Sequence, residues 1–138
     1  ITPKKYWKGP FKLPINSKMT SPYGTKRVFN GELKSFHQGL DLRAAIGDPI
    51  RSTAPGRVVM AKNLFFTGKT VMVDHGFGIY TFYAHLSKFS VRKGQLVKPS
   101  TVLGLAGMTG RASGPHLHWG AVIQRSKVNP AELLKVMR

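Results

Sequence analysis

His37 and Asp41 flank Gln38-Gly39-Leu40, and His116 and His118 stand in Gly114-Pro115-His116-Leu117-His118-Trp119-Gly120. The 138-residue chain has only five histidines and five acidic residues, so these two short motifs hold much of what could ligate a metal. Zinc accepts imidazole nitrogen and carboxylate oxygen readily, and a catalytic zinc keeps three protein ligands beside one exchangeable water. A lone histidine on a half-buried strand is ordinarily a hydrogen-bonded structural residue. Two pairs, each on the polar side of an alternating segment, point instead to a metal centre.

These residues need elements that bring them to one side. A helix or a strand would each place His37 and Asp41 on a common face. The alternation decides for strands. Phe36, Gln38, Leu40 and Leu42 form a mostly apolar opposite face, and Gly39 leaves space between the two candidate ligands. Leu117 and Trp119 likewise point away from His116 and His118. Two histidines two apart on a strand have Cα atoms roughly 7 Å apart, so both border one site without both having to bind metal.

A third segment, Thr81-Phe82-Tyr83-Ala84-His85-Leu86-Ser87, also alternates. It predicts Tyr83 and His85 on one face, with Phe82, Ala84 and Leu86 on the other. If Asp41 and two histidines hold zinc, His85 and one member of the His116/His118 pair remain for proton transfer. Hydrolysis at zinc needs such a group, and imidazole titrates near neutrality. Glu32 and Glu132 have no sequence tie to the other site residues. His75, in Asp74-His75-Gly76-Phe77-Gly78, is expected to be a structural turn residue.

The ordered set His37-x-x-x-Asp41, Tyr83-Ala84-His85-Leu86 and Gly114-Pro115-His116-Leu117-His118 resembles the lysostaphin-type (LytM-like) zinc endopeptidases. Ser21-Pro22-Tyr23-Gly24, Ala54-Pro55-Gly56-Arg57-Val58, Lys93-Gly94-Gln95-Leu96-Val97 and Gly107-Met108-Thr109-Gly110 share the likeness, which covers about residues 11–130. The resemblance implies that His37, Asp41 and His118 bind Zn2+ and that His85 and His116 are catalytic. One of the latter takes a proton from water and the other holds the oxyanion, with the two roles left interchangeable. Tyr83 is a weaker candidate for substrate contact. The implied activity is hydrolysis of peptide cross-links or stem peptides in bacterial peptidoglycan. D-alanyl–diaminopimelate links of Gram-negative walls are favoured over pentaglycine bridges. The implied location is the periplasm or the extracellular cell envelope. As in several members of that family, a segment upstream of Ile1 is expected to occlude the groove.

The remaining sequence predicts one mainly β domain, an antiparallel sheet with a groove, over residues 11–138. Short runs such as Arg57-Val58-Val59-Met60-Ala61 and Thr70-Val71-Met72-Val73 are punctuated by glycine and proline. Pro55-Gly56-Arg57-Val58-Val59 also echoes biotinyl/lipoyl-type domains, whose architecture the resemblance shares as a duplicated hybrid β-sandwich. No modifiable lysine hairpin accompanies it, so carrier function is discounted. Residues 1–10 read as an extended basic lead-in. Asn129, Pro130 and Glu132 mark the start of a short C-terminal helix.

Cysteine is absent, which removes disulfide and thiolate chemistry. No apolar run approaches the roughly 18 residues of a membrane span, and the opening lacks the charged and apolar regions of a secretory signal. Lysine and arginine number 22 against five acids, a net charge of +17. Such a charge steers the chain toward polyanions. Carboxylate-bearing wall and anionic envelope polymers fit the metal site better than a specific nucleic acid, since no nucleic-acid-binding motif occurs. A basic nucleic-acid-binding protein, a non-catalytic wall-binding or amidase-activating relative, and a structural zinc domain stand as the rival readings.

Overall fold

The computed structural model describes residues 3–21, 26–29, 32–36, 39–110, 112 and 114–136, with backbone alone for 21, 26–29 and 32–36. Twelve strands and one helix occur among them. In chain order the strands are β1 (Met19–Ser21), β2 (Lys26–Phe29), β3 (Glu32–Phe36), β4 (Leu40–Arg43), β5 (Pro49–Arg51) and β6 (Gly56–Leu64). They continue as β7 (Gly68–Gly76), β8 (Ile79–Phe89), β9 (Leu96–Val97), β10 (Val102–Ala106), β11 (His116–Ile123) and β12 (Ser126–Val128), followed by helix α1 (Pro130–Val136).

The main sheet runs β1-β4-β11-β8-β7-β6-β9; β12 pairs with β11, and β10 bridges β8 and β5. Each of these pairings is antiparallel, as the short, turn-punctuated runs predict. β2 and β3 form a separate hairpin. At the centre, β11 sits between β4 and β8. His118 lies opposite both Asp41 and Ala84, and Trp119 lies opposite both Leu40 and Tyr83.

Period-2 alternation divides this sheet into two chemistries. Leu117, Trp119, Ala121, Leu40, Leu42, Val71, Val73 and Tyr83 are buried together on one side. Fully burying an aliphatic or aromatic side chain contributes about 1.5–3 kcal/mol, so a one-residue slip would forfeit the core. The other side carries Asp41, His116, His118, Gly120 and Val122 and remains open.

A buried polar chain runs through the core side. His75 Nδ1 lies 2.8 Å from the Pro55 carbonyl, which can only accept, so the proton sits on Nδ1. Nε2 therefore accepts from the Thr81 hydroxyl at 2.7 Å. Thr81 in turn accepts from the Tyr83 hydroxyl at 2.6 Å, and Tyr83 accepts the Thr53 N–H at 3.0 Å. His75 is structural, as expected, but it belongs to β7 itself, and the turn follows it at Phe77 and Gly78.

Burial lowers the His75 pKa from 6.5 to about 4, against smaller opposing effects of the Pro55 carbonyl and Asp74. The folded state thus favours neutral imidazole. The unfolded chain binds more protons between these values, so this contribution is fully present above pH 6.5 and is lost as pH falls toward 4. About 3 kcal/mol of unfolding free energy should disappear across that window. Urea titrations at pH 7 and pH 4 check this, and a His75→Phe variant should lose that part of the pH dependence.

Two further features lie at the β7–β8 turn end of the sheet. Residues 3–10 carry no regular element and lie against the β7–β8 turn. Tyr6 donates its N–H to the His75 carbonyl at 3.0 Å, and Trp7 packs edge-on to Phe11 and Phe77. The β11–β12 turn consists of Gln124 and Arg125, at φ 49° and 70°. Left-handed backbone costs an L-residue about 1–2 kcal/mol, and here two bulky residues in succession adopt it. At the C-terminus, Asn129 caps α1 by accepting the Ala131 N–H at 3.1 Å, and Leu133 buries against β11 and its neighbours.

Candidate active site

Asp41 on β4 and His118 on β11 face each other across one rung of the sheet. His118 Nδ1 lies 3.0 Å from Asp41 Oδ1, and His116 Nε2 lies 3.6 Å from the same oxygen. All three side chains are largely withdrawn from solvent, with 15–18% of their surface exposed. His116 donates its Nδ1 proton to the Gly114 carbonyl at 2.9 Å, which leaves Nε2 to face the carboxylate.

His85 completes the cluster by an unexpected route. Simple alternation along β8 would put it on the core side with Thr81 and Tyr83. Its backbone φ is 61°, and the β7–β8 register shifts between Lys69 and Val71. This irregularity re-aims the imidazole onto the open face, a common role of bulges beside active sites. The His85 ring centroid lies 4.9 Å from that of His116 and 6.0 Å from that of His118. Its Nδ1 donates to the Thr109 carbonyl at 2.6 Å, leaving Nε2 as the basic nitrogen. Burial, more than the neighbouring imidazoles, lowers its pKa, while the Thr109 carbonyl and Asp41 oppose the shift.

Tyr83 departs from the expectation of a substrate contact. It is fully buried, its hydroxyl is engaged by Thr53 and Thr81, and burial raises its pKa. The expected Tyr83/His85 face is broken by the left-handed backbone at His85, which separates the two side chains. Replacing Tyr83 with phenylalanine should cost about 1–3 kcal/mol, because the buried Thr53 N–H loses its acceptor, while KM stays near the wild-type value. Denaturant melts beside steady-state kinetics test both parts.

The donor types and spacing suit zinc. Ligand atoms sharing one zinc at bond lengths of about 2.0–2.2 Å sit about 3–3.5 Å apart, which is the spacing of His118 Nδ1 and Asp41 Oδ1. Among the described residues, no three His, Cys, Asp or Glu side chains form a complete metal cage. The third expected ligand, His37, lies outside the described residues.

The family model of peptidase family M23 matches residues 35–130. The chain belongs to peptidase family M23. The peptidoglycan DD-endopeptidase ShyA of Vibrio cholerae is 42% identical over 105 residues, 76% of this chain and 23% of ShyA. A zinc-containing peptidase from Vibrio cholerae superposes with a TM-score of 0.82 at 32% identity, over 88% of this chain and 39% of that one. The catalytic domain of lysostaphin from Staphylococcus simulans gives 0.77 at 30% identity, over 87% and 93% respectively. The lysostaphin-type resemblance and the antiparallel fold are both borne out. The chain spans less than a third of the length of the curated relatives it matches.

Two groups that hold this M23 site together escaped the sequence reading. Thr109 is one. Besides its carbonyl bond to His85, its hydroxyl accepts the Lys69 N–H at 3.0 Å and donates to the Leu86 carbonyl at 2.6 Å. It thereby ties the 107–110 turn to β7 and β8, on either side of the imidazole. The Gly-Met-Thr-Gly motif marked that turn without indicating its task.

The glycines beside His118 are the other. A Cβ at Gly39 would lie 2.7 Å from His118 Cε1, so this glycine admits the ring and does not merely leave a gap between the candidate ligands. A Cβ at Gly120 would lie 1.8 Å from the Phe82 ring. Phe82 therefore lies over bare backbone, its ring 5.8 Å from that of His118. Gly120→Ala must push Phe82 off that position. It should destabilise the domain by about 1–3 kcal/mol, as overpacking does, and lower zinc retention. Denaturant melts and metal analysis of the purified variant check this.

Proposed function

We propose that this chain is the catalytic domain of a zinc-dependent peptidoglycan endopeptidase, cutting peptide cross-links or stem peptides of the bacterial cell wall. The observation that carries the proposal is the convergence of Asp41 Oδ1 and His118 Nδ1 at 3.0 Å, with the imidazoles of His85 and His116 beside them. The peptidoglycan DD-endopeptidase relative supports D,D-specificity and an envelope location. No helix among the described residues is long and apolar enough to cross a membrane.

His37, Asp41 and His118 would hold the zinc. When bound, zinc polarises the scissile carbonyl and lowers the pKa of its water to about 7. His85 and His116 supply the proton chemistry. Each has its Nδ1 proton committed to a backbone carbonyl, so each offers Nε2 to the reacting groups. One Nε2 takes the proton of the attacking water. The other, once protonated, donates a hydrogen bond to the developing oxyanion, and the collected proton passes to the leaving amine. Held tautomers and rings spare reorganisation during reaction, the principal advantage of a preorganised site.

The test is incubation of zinc-loaded protein with cross-linked muropeptide dimers, followed by mass spectrometry. Dimers should fall to monomers with the gain of one water per bond. Dimers that persist in the presence of stoichiometrically zinc-loaded, folded protein would refute the proposal.

A further inference from the structure

The open face of the sheet does not end at the histidine cluster. Beyond His118, the residues of β11 on that face are Gly120 and Val122, and Gln124 follows in the turn. Side chains on one face of a strand recur at roughly 6.6–6.8 Å intervals. Phe82 on β8 covers Gly120, and Lys127 of β12 places its ammonium 5.9 Å from the Phe82 ring centroid. Past this point lies a cavity of about 390 Å³ lined by Met72, Gly78, Tyr80, Val122, Gln124 and Arg125.

Three features give this cavity a direction and a preference. Its floor is apolar, from Met72, Tyr80 and Val122, and continuous with the face that carries His118. Its far end is closed by Gln124, whose amide donates to the Phe77 carbonyl at 2.9 Å and so ties the β11–β12 turn to the β7–β8 turn. Its rim is cationic, from Arg125 in the turn and Lys127 on the approach. Gln124 and Arg125 both hold left-handed backbone, where turns of this kind favour Asn-Gly. Strained conformations of non-glycine residues cluster at active sites and ligand clamps.

We infer that this cavity is a subsite for an acidic peptide, binding a free carboxylate of the substrate at Arg125 about four residues from the bond that is cut. Val122 is four residues from His118, about 13 Å along the strand, and an extended peptide covers that distance in four residues. The apolar floor takes the aliphatic part of such a residue, and the guanidinium takes its carboxylate in a charge-assisted hydrogen bond. The cationic rim selects against a neutral chain such as polyglycine. This inference rests on the endopeptidase reading and names its substrate chemistry.

The experiment uses a cross-linked muropeptide with free carboxylates and its fully amidated counterpart. Cleavage is followed with zinc-loaded wild type, Arg125→Gln and Arg125→Lys. Binding of both peptides is measured calorimetrically to the same three proteins carrying His85→Ala. Wild type should favour the acidic peptide about tenfold in kcat/KM, the range of one charge-assisted contact. Arg125→Gln should reduce that preference to about one by raising KM, and Arg125→Lys should retain most of it. The preference should also shrink as salt is added. Cleavage with the same preference in wild type and Arg125→Gln, or with none in wild type, overturns the subsite and leaves the endopeptidase standing. Arg125-dependent binding of the acidic peptide without cleavage by wild type upholds the subsite and overturns the endopeptidase. Neither cleavage nor binding overturns both.

Discussion

Zinc content and hydrolysis should vanish together when Asp41 or His118 is replaced by alanine. The two atoms that approach within 3.0 Å of each other, Asp41 Oδ1 and His118 Nδ1, belong to adjacent strands locked in register. Loss of groups that merely support metal ligands weakens binding by about 10–100-fold, so loss of a ligand should exceed that range. His37→Ala is expected to behave in the same way, on the strength of the family motif. Metal analysis after dialysis, beside muropeptide cleavage, gives both readouts. Stoichiometric zinc in Asp41→Ala protein would show that the carboxylate is not a ligand.

Alanine at His85 or His116 should have the opposite signature, with zinc kept and turnover lost. Neither imidazole has the position of His118. His116 approaches Asp41 Oδ1 only to 3.6 Å, and His85 reaches the cluster from β8. Loss of a general acid or base slows reaction by about 10²–10⁴-fold. If the two histidines act as a unit in proton transfer and oxyanion stabilisation, the double variant should be little worse than either single one. His75→Ala serves as the contrast, reducing stability far more than turnover. Zinc lost from His116→Ala but retained by His118→Ala would reverse the assignment of the histidine pair.

The fold was legible because its local signals agree. Alternation in Leu40–Arg43 and His116–Ile123 predicts which residues enter the core, and burial follows it at Leu40, Leu42, Leu117 and Trp119. The Asn-Pro-x-Glu start of the last helix was equally local, and the helix begins at Pro130. The chemistry of the site was legible for a related reason. Few side-chain types ligate zinc or move protons near neutrality, and in this chain they are scarce enough to stand out.

What tertiary structure decided was direction and support. A period of two assigns His85 to the core side with Tyr83, and only the left-handed backbone at His85, outside any periodic pattern, turns it toward His116. The same break leaves Tyr83 in the core, bound to Thr81 on its own strand and to Thr53, which precedes it by 30 residues. Thr109 and Phe82 were unreadable as supports because their roles depend on long-range contacts, a carbonyl meeting an imidazole 24 residues away and a ring lying over the bare backbone of Gly120. Residue type and spacing determine which groups can do the chemistry. Where each group points is set by the register between strands, which depends on packing throughout the sheet.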